Sequence, residues 1–376
     1  MKRRLGILSL VLVLALSFSG VVLADVAGKV AVVDKYGNVT LDLLTEELFA
    51  AGYEFGDILT VTVGTADFEA PFVTAYSDVD NDRLLVRGPG GDPTANVMVA
   101  INMGNFAGTY GVEEGDPISL ALKEKEAYFA EWAIRQLTRT NEREDYSTDE
   151  VFANFRNVAI GKLAVGVYYR SSSPVNNDLG RAAYADELAE KAGIKTVINL
   201  ADSEKELHSY FEQADYNSPY YRKLYENGQV ILLSMGVDFK SADFQEKLKA
   251  GLEFMLANEG PYLIHCNEGK DRAGFATALL EALAGASVRE IKEDYMLTYM
   301  NYFNVEYGSE RYEKIAESNI LESLRYIAGL TPGADLTGVD LEKAAEDYLY
   351  GIGLNENQIQ SLKDVLAGEQ ALADAA

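Results

Sequence analysis

"YLIHCNEGKDRAGFATALL", residues 262 to 280, holds the chain's single cysteine, Cys266, next to one of its two histidines, His265. The apolar run ending at His265 predicts a short buried strand, and the small-residue run from Ala273 predicts a helix. Between them the chain must turn within five residues, and Gly269 supplies the backbone freedom for that turn. A strand, a tight loop and a helix start in this order aim successive backbone N–H groups and the helix amino end at one point, which makes an anion nest. A thiol in such a nest, with Arg272 close by, is favoured as thiolate and serves as a nucleophile. The planar guanidinium of Arg272 and the loop amides suit the non-bridging oxygens of a phosphoryl group.

The remainder of the chain sets the context of this loop. Met1-Lys2-Arg3-Arg4, an apolar run from Leu5 to Leu23 and the small-residue site Val22-Leu23-Ala24 predict an export signal over residues 1–24. The single cysteine lies far downstream, so neither lipid attachment near the signal nor an internal disulfide is expected. The expected mature protein is secreted or extracytoplasmic, with no stable membrane span after cleavage. Loss of Lys2, Arg3 and Arg4 takes the formal net charge from −26 to −29. That field repels nucleic acid and anionic membrane at long range, so an anionic substrate must be captured by local positive potential.

Two textures divide the rest. Residues 25–125 carry short β-branched runs between glycine turns, such as "KVAVVDKYGNVTLDLL", "DILTVTVG" and "ANVMVAINMGN", and predict a β domain. "EKEAYFAEWAIRQL" reads as a helix, and the polar, aperiodic "TRTNEREDYSTDE" that follows reads as a linker, together spanning residues 126–150. From residue 151 to 376, strands "GVYYRSS", "KTVINLA", "QVILLSM" and "YLIHC" alternate with helical patterns, which predicts an α/β layered domain. Ser241, Ser287 and Asn355 are read as helix caps in this half.

The pattern His265-Cys266-x-x-Gly269-Lys270-Asp271-Arg272-x-Gly274 resembles the signature of the protein tyrosine phosphatase superfamily. Its Gly-Lys-Asp-Arg form is similar to the bacterial tyrosine phosphatase group, some of whose members act on phosphoinositides. "NFRNVAIG", "VYYRSSSP" and "AAEDYLYGIGLNENQIQSLKDVLAG" extend the resemblance over about residues 151 to 368. The resemblance implies a cysteine-phosphatase α/β fold, a central sheet flanked by helices, preceded here by a smaller β-barrel domain. It implies that Cys266 attacks phosphorus, that Arg272 and the loop residues Asn267, Glu268, Gly269, Lys270, Asp271, Ala273 and Gly274 bind the phosphoryl group, and that His265 supports the loop by hydrogen bonding. No metal and no cofactor is implied.

The leaving oxygen needs a proton in the transition state. In the superfamily the acid lies on a loop before the last helix ahead of the cysteine strand, which in this chain is "SMGVDFKSADF". Asp238, 28 residues ahead of Cys266, is the first candidate there and Asp243 the second. Asp202 and Asp271 are rivals. Lys270 either adds positive potential for inositol phosphates or faces solvent beside Asp271. Two departures from the family stand out. Ala273 replaces the usual hydroxyl residue after the arginine, which predicts slow hydrolysis of the phosphoenzyme. Asn199 and Ala201 stand in "VINLADSEKE" where the family has aspartate and arginine, which puts the substrate pocket in question. The expected partners are a phosphorylated protein, an inositol phosphate or a phosphoinositide. The alternative reading is a catalytically weak phosphate-binding module.

"VAVVDKYGNVTLDL" and "VMVAINMGNFAGTYGVEEGDPISLAL" resemble the carboxyl-terminal β-barrel of S-adenosylmethionine hydroxide adenosyltransferases. That family's larger partner domain has no counterpart here, so the barrel is read as a binding or shielding module, or as a structural one.

Overall fold

The computed structural model describes residues 24–369, and the signal expected over residues 1–24 lies, but for its last residue, outside them. The described chain divides into two compact units at Trp132/Ala133.

In the first unit seven strands close into a barrel: β1 (Val26–Val33), β2 (Val39–Leu44), β3 (Ile58–Val63), β4 (Ala66–Val73), β5 (Leu84–Arg87), β6 (Asn96–Ile101) and β7 (Pro117–Glu124). They run in the order β1-β2-β6-β5-β4-β3-β7, and β7 returns to pair with β1, so no edge is left to recruit another chain. Alternation puts Val39, Leu41 and Leu43 of β2 inside, with Leu59, Val61, Phe72, Val97 and Val99 from β3, β4 and β6. The helix expected over 124–137 begins only at Phe129. The reason is that β7 continues to Glu124, which pairs with Ile58 of β3.

The second unit is built on a five-stranded sheet of β8 (Arg156–Asn157), β9 (Tyr168–Ser171), β10 (Thr196–Asn199), β11 (Val230–Leu232) and β12 (Tyr262–His265), in the order β11-β10-β12-β9-β8. β9 to β12 are mutually parallel and β8 is antiparallel to β9. β12 lies between β10 and β9, and all four of its residues are buried. Continuous burial is what a central parallel strand with helices on both faces requires. One core holds Ile264, Leu248, Leu252 and Leu279, and a second holds Leu263, Val197, Ala185 and Leu224. The helix Asp271–Leu283 follows β12 and is buried on nearly every side. The predicted caps form: Ser241 opens Ala242–Ala257, and Ser287 and Asn355 each make a capping box. Among the described residues, no helix is long and apolar enough to cross a membrane.

Candidate active site

The carboxyl end of β12 delivers Cys266 to the mouth of the sheet, where the residue is 3% exposed. Residues 267–270 turn the chain and the helix Asp271–Leu283 leaves from there. Gly269 sits at φ +67°, and a Cβ on it would lie 2.3 Å from the Ser171 carbonyl oxygen at the end of β9. Only glycine meets both conditions, so the loop's path is set by its close seating on β9.

What orients the loop is a set of donors that grips its carbonyls from outside. The Ser173 amide donates to Asn267 O at 3.1 Å. Asn154 Nδ2 donates to Glu268 O at 3.1 Å and lies 3.4 Å from Gly269 O, and the Tyr302 hydroxyl also donates to Glu268 O, at 3.3 Å. Arg170 donates to Gly269 O at 2.7 Å and reaches Lys270 O at 3.4 Å. Four successive carbonyls are thereby turned away from the loop's centre. Among the described residues, the N–H groups of residues 267–270 donate to no protein acceptor. Those amides and the unpaired first-turn N–H groups of the following helix form a ready anion cradle.

Arg170 is 1% exposed, so its charge must be balanced inside the protein. It donates to Asp294 at 2.8 Å, and Asp294 takes two further bonds from Arg156, at 2.7 and 3.1 Å. Burial works to raise the Asp294 carboxyl, but Arg156 and Arg170 outweigh it and hold the group well below the usual carboxylate range. The neighbouring Glu281, also buried, is pushed well above its ordinary value by burial and by the Asp294 charge. Both effects favour the neutral form of Glu281 behind the loop.

His265 is fully buried, and burial pushes its pKa down to about 3, with the Arg272 charge adding to the effect. The imidazole is neutral. The hydrogen bond expected between it and the loop is not formed: the Cys266 backbone favours protonation weakly, yet neither ring nitrogen has a well-formed partner. The ring packs edge-on against Tyr221 at 5.8 Å. Its contribution is packing under the cysteine.

Arg272 lies in the first helical turn and donates to Met235 O at 3.0 Å. Met235 belongs to the segment after β11 that carries Asp238, so the guanidinium ties this segment to the loop. Asp238 is exposed; its carboxylate accepts the Lys240 amide and its carbonyl accepts the Ser241 amide and hydroxyl. Asp243 stands on the helix Ala242–Ala257 and pairs with Lys247 one turn on, a helix-stabilising role. Asp202 is buried, accepts hydrogen bonds from Asn199 and Tyr210, and is raised above the ordinary carboxylate value by burial while Arg272 pulls it down. Asn199, the departure noted in the sequence, is thus used to hold Asp202. Asp271 opens the helix with its side chain about half exposed at 53%, yet the surrounding protein raises its carboxyl against the pull of Lys270.

Lys270 does not face solvent. Its ammonium lies 3.3 Å from Glu268 and 3.9 Å from Asp271, over the rings of Tyr299 and Phe303 at 5.5 Å. The Asn267 side chain is exposed and Ala273 is fully buried. A Cβ on Gly274 would come within 2.5 Å of the Tyr295 ring, so this glycine permits close packing of the helix Val288–Phe303. The structure therefore brings Cys266, the residues 267–274 and Asp202 to one end of the sheet. A cavity of about 730 Å³ in the same unit, bounded by Arg289, Arg325 and Asp340, includes none of them.

Sequence reasoning passed over Arg170, Asn154, Tyr302 and Arg139, although three of them lie in stretches quoted above. An arginine inside an apolar strand, as in "VYYRSS", is the signal that was available, because a buried charge implies a partner.

This geometry makes a cradle suited to an anion, and the comparisons identify the family of the unit that carries it. The profile of the tyrosine phosphatase family matches residues 150–368, more than half of the chain, and the chain belongs to that family. It is a phosphatase. The profile of the SAM hydroxide adenosyltransferase C-terminal domain matches residues 28–119. A tyrosine-protein phosphatase of Nostoc commune is 29% identical over 210 residues, which cover 50% of this chain and 71% of that one. Among solved structures, an uncharacterized conserved protein from Thermotoga maritima is 33% identical over 26% of this chain and 36% of its own, with a TM-score of 0.24. The chain thus spans about a third of that protein's length. The core catalytic domain of the PP-IP phosphatase SIW14 from S. cerevisiae, in complex with citrate, is 20% identical over 46% of this chain and 94% of its own, with a TM-score of 0.26.

Proposed function

We propose that the chain is an exported, cysteine-dependent phosphatase that hydrolyses phosphate monoesters through a phosphocysteine intermediate. The Cys266 sulfur attacks phosphorus while the bond to the leaving oxygen breaks, and Asp238 gives that oxygen its proton. Arg272 leaves the Met235 carbonyl to bind two non-bridging oxygens, and the amides of residues 267–270 hold the equatorial oxygens as charge develops. Water, deprotonated by the same carboxylate, then attacks phosphorus and releases inorganic phosphate and the thiolate. The observation that carries this reading is the outward tethering of four loop carbonyls, which leaves their amides free to face an anion.

A second assignment of the acid has its own support. Asp202 is buried, raised above the ordinary carboxylate value by burial, and close enough to Arg272 to feel its charge, a perturbed carboxyl at the same end of the sheet as the loop. Its two hydrogen bonds from Asn199 and Tyr210 fix its position, whereas Asp238 lies on an exposed segment with room to close. The substrate is proposed to be a phosphotyrosyl side chain, with inositol phosphates and phosphoinositides as the alternative. Export rests on the sequence of residues 1–24, and amino-terminal sequencing of the protein recovered outside the cytoplasm tests it.

Turnover of para-nitrophenyl phosphate by wild type and by Cys266→Ser tests the mechanism. The variant is expected to be inactive, and equal rates would remove the thiol from the reaction.

A further inference from the structure

The composition of "TRTNEREDYSTDE" predicts a linker, whereas in the structure it is part of the second unit and is held there by polar contacts. The Thr140 carbonyl accepts hydrogen bonds from Arg181 at 3.0 Å and from the Tyr146 hydroxyl at 2.7 Å. Arg181 is 1% exposed and lies against the ring faces of Tyr146, Phe152 and Tyr302, at 5.0, 4.4 and 4.2 Å. This anchor places Arg139, one residue earlier, beside the phosphoryl-binding loop. Its guanidinium lies 2.5 Å from the Glu268 carboxylate and over the rings of Tyr302 and Phe303 at 5.8 and 5.7 Å.

Glu268 presents an electrostatic problem. It is an anion two residues from Cys266, in a loop that on the reading above must accept a dianionic phosphoryl group. Its side chain is 22% exposed, so water screens it only in part. Lys270 is its other cationic neighbour, but that ammonium is shared with Asp271.

We infer that Arg139 is a positioning residue for the reaction: it neutralises and holds Glu268, so that the loop binds phosphate without repulsion from its own carboxylate. The inference rests on the proposed role of the Cys266 loop. Arg139 touches neither the substrate nor the reacting atoms, and its effect passes through Glu268 alone. The amino-terminal segment of the second unit thereby sets the loop's affinity for anions.

The test is a double-mutant cycle read by competitive inhibition with inorganic phosphate during para-nitrophenyl phosphate turnover. Arg139→Gln is expected to raise the phosphate Ki and the KM together, by about three- to fivefold, the upper part of the range for a partly exposed ion pair, with kcat within about twofold of wild type. Arg139→Lys is expected to keep most of the affinity. Glu268→Gln alone is expected to tighten phosphate binding, and in its background the Arg139→Gln effect should shrink to within about twofold. Lys191→Gln, which breaks an exposed pair with Glu187, serves as the control and should change nothing.

An unchanged Ki in Arg139→Gln would overturn the inference, as would a loss of equal size with and without Glu268. A fall in kcat and melting temperature that Glu268→Gln does not relieve would assign Arg139 a purely structural role and overturn it too. Cys266→Ser separates the two levels. If that variant is inactive and the cycle shows no coupling, only the role of Arg139 fails; if it turns over at the wild-type rate, the site reading fails and the inference with it.

Discussion

Replacing Gly269 by alanine probes the loop's geometry without touching a charge. The new methyl carbon would stand 2.3 Å from the Ser171 carbonyl oxygen, 2.5 Å from its carbon and 2.9 Å from the Ser172 nitrogen, all backbone atoms. Ordinary contact begins at 3.4 Å, so loop and strand must separate by about 1 Å. β9 is hydrogen-bonded on both sides and Ser171 is buried, so the loop is the part that moves. The φ of +67° adds about 1 to 2 kcal/mol of strain for any residue with a Cβ. A shift of this size lengthens the 2.7 Å bond from Arg170 to Gly269 O and moves the amides off the phosphoryl oxygens. Misplacement by about 1 Å is expected to cost about 100-fold in kcat/KM. Thermal unfolding should fall by only a few degrees, since the strain is local. The assay is para-nitrophenyl phosphate kinetics beside a melting curve. A Gly269→Ala enzyme with wild-type kcat/KM would refute the argument that this seating sets the cradle.

Asp238→Asn is expected to lower kcat about 100-fold or more, with a larger loss for alkyl than for aryl phosphates. If Asp202→Asn does this instead, the acid is Asp202, and pH profiles of both variants decide between them. Ala273→Thr restores the hydroxyl beside the departing sulfur and is expected to raise steady-state turnover by about tenfold while the presteady-state burst shrinks, as measured by stopped flow. Asp186, buried under the amides of Tyr220 and Tyr221, has its pKa raised by burial to about 6. The native state holds this proton to higher pH than the unfolded chain does, so its stabilisation is present below about pH 4 and is lost as pH rises through 6. The loss is on the order of 3 kcal/mol, and melting curves of wild type and Asp186→Asn should diverge in slope between those limits.

The strand, turn and helix around Cys266 were legible because their determinants are local. A buried β12 needs a continuous apolar run, the turn needs Gly269, and the helix needs the small residues that follow. The alternation of strands and helices, and the β-branched runs of the barrel, were legible for the same reason. What the sequence concealed is long-range pairing. Arg170 meets Gly269 across 99 residues and Asn154 meets Glu268 across 114, and no periodicity carries such partners. The stretch from residue 138 looked like a linker because its contacts are made by polar side chains and by the Thr140 carbonyl rather than by an apolar face. His265 was expected to form a hydrogen bond because the family resemblance implies one. Both faces of β12 are buried, so its side chain packs in the interior beside Tyr221 instead.

The most direct test of the account is to quench the wild-type enzyme with denaturant during para-nitrophenyl phosphate turnover and to measure the intact protein and its peptides by mass spectrometry. The account predicts one phosphoryl group on Cys266, accumulating because Ala273 slows its hydrolysis, and no adduct in Cys266→Ser. Sustained turnover by Cys266→Ser, with no phosphoryl group on Cys266 in the wild type, would contradict it.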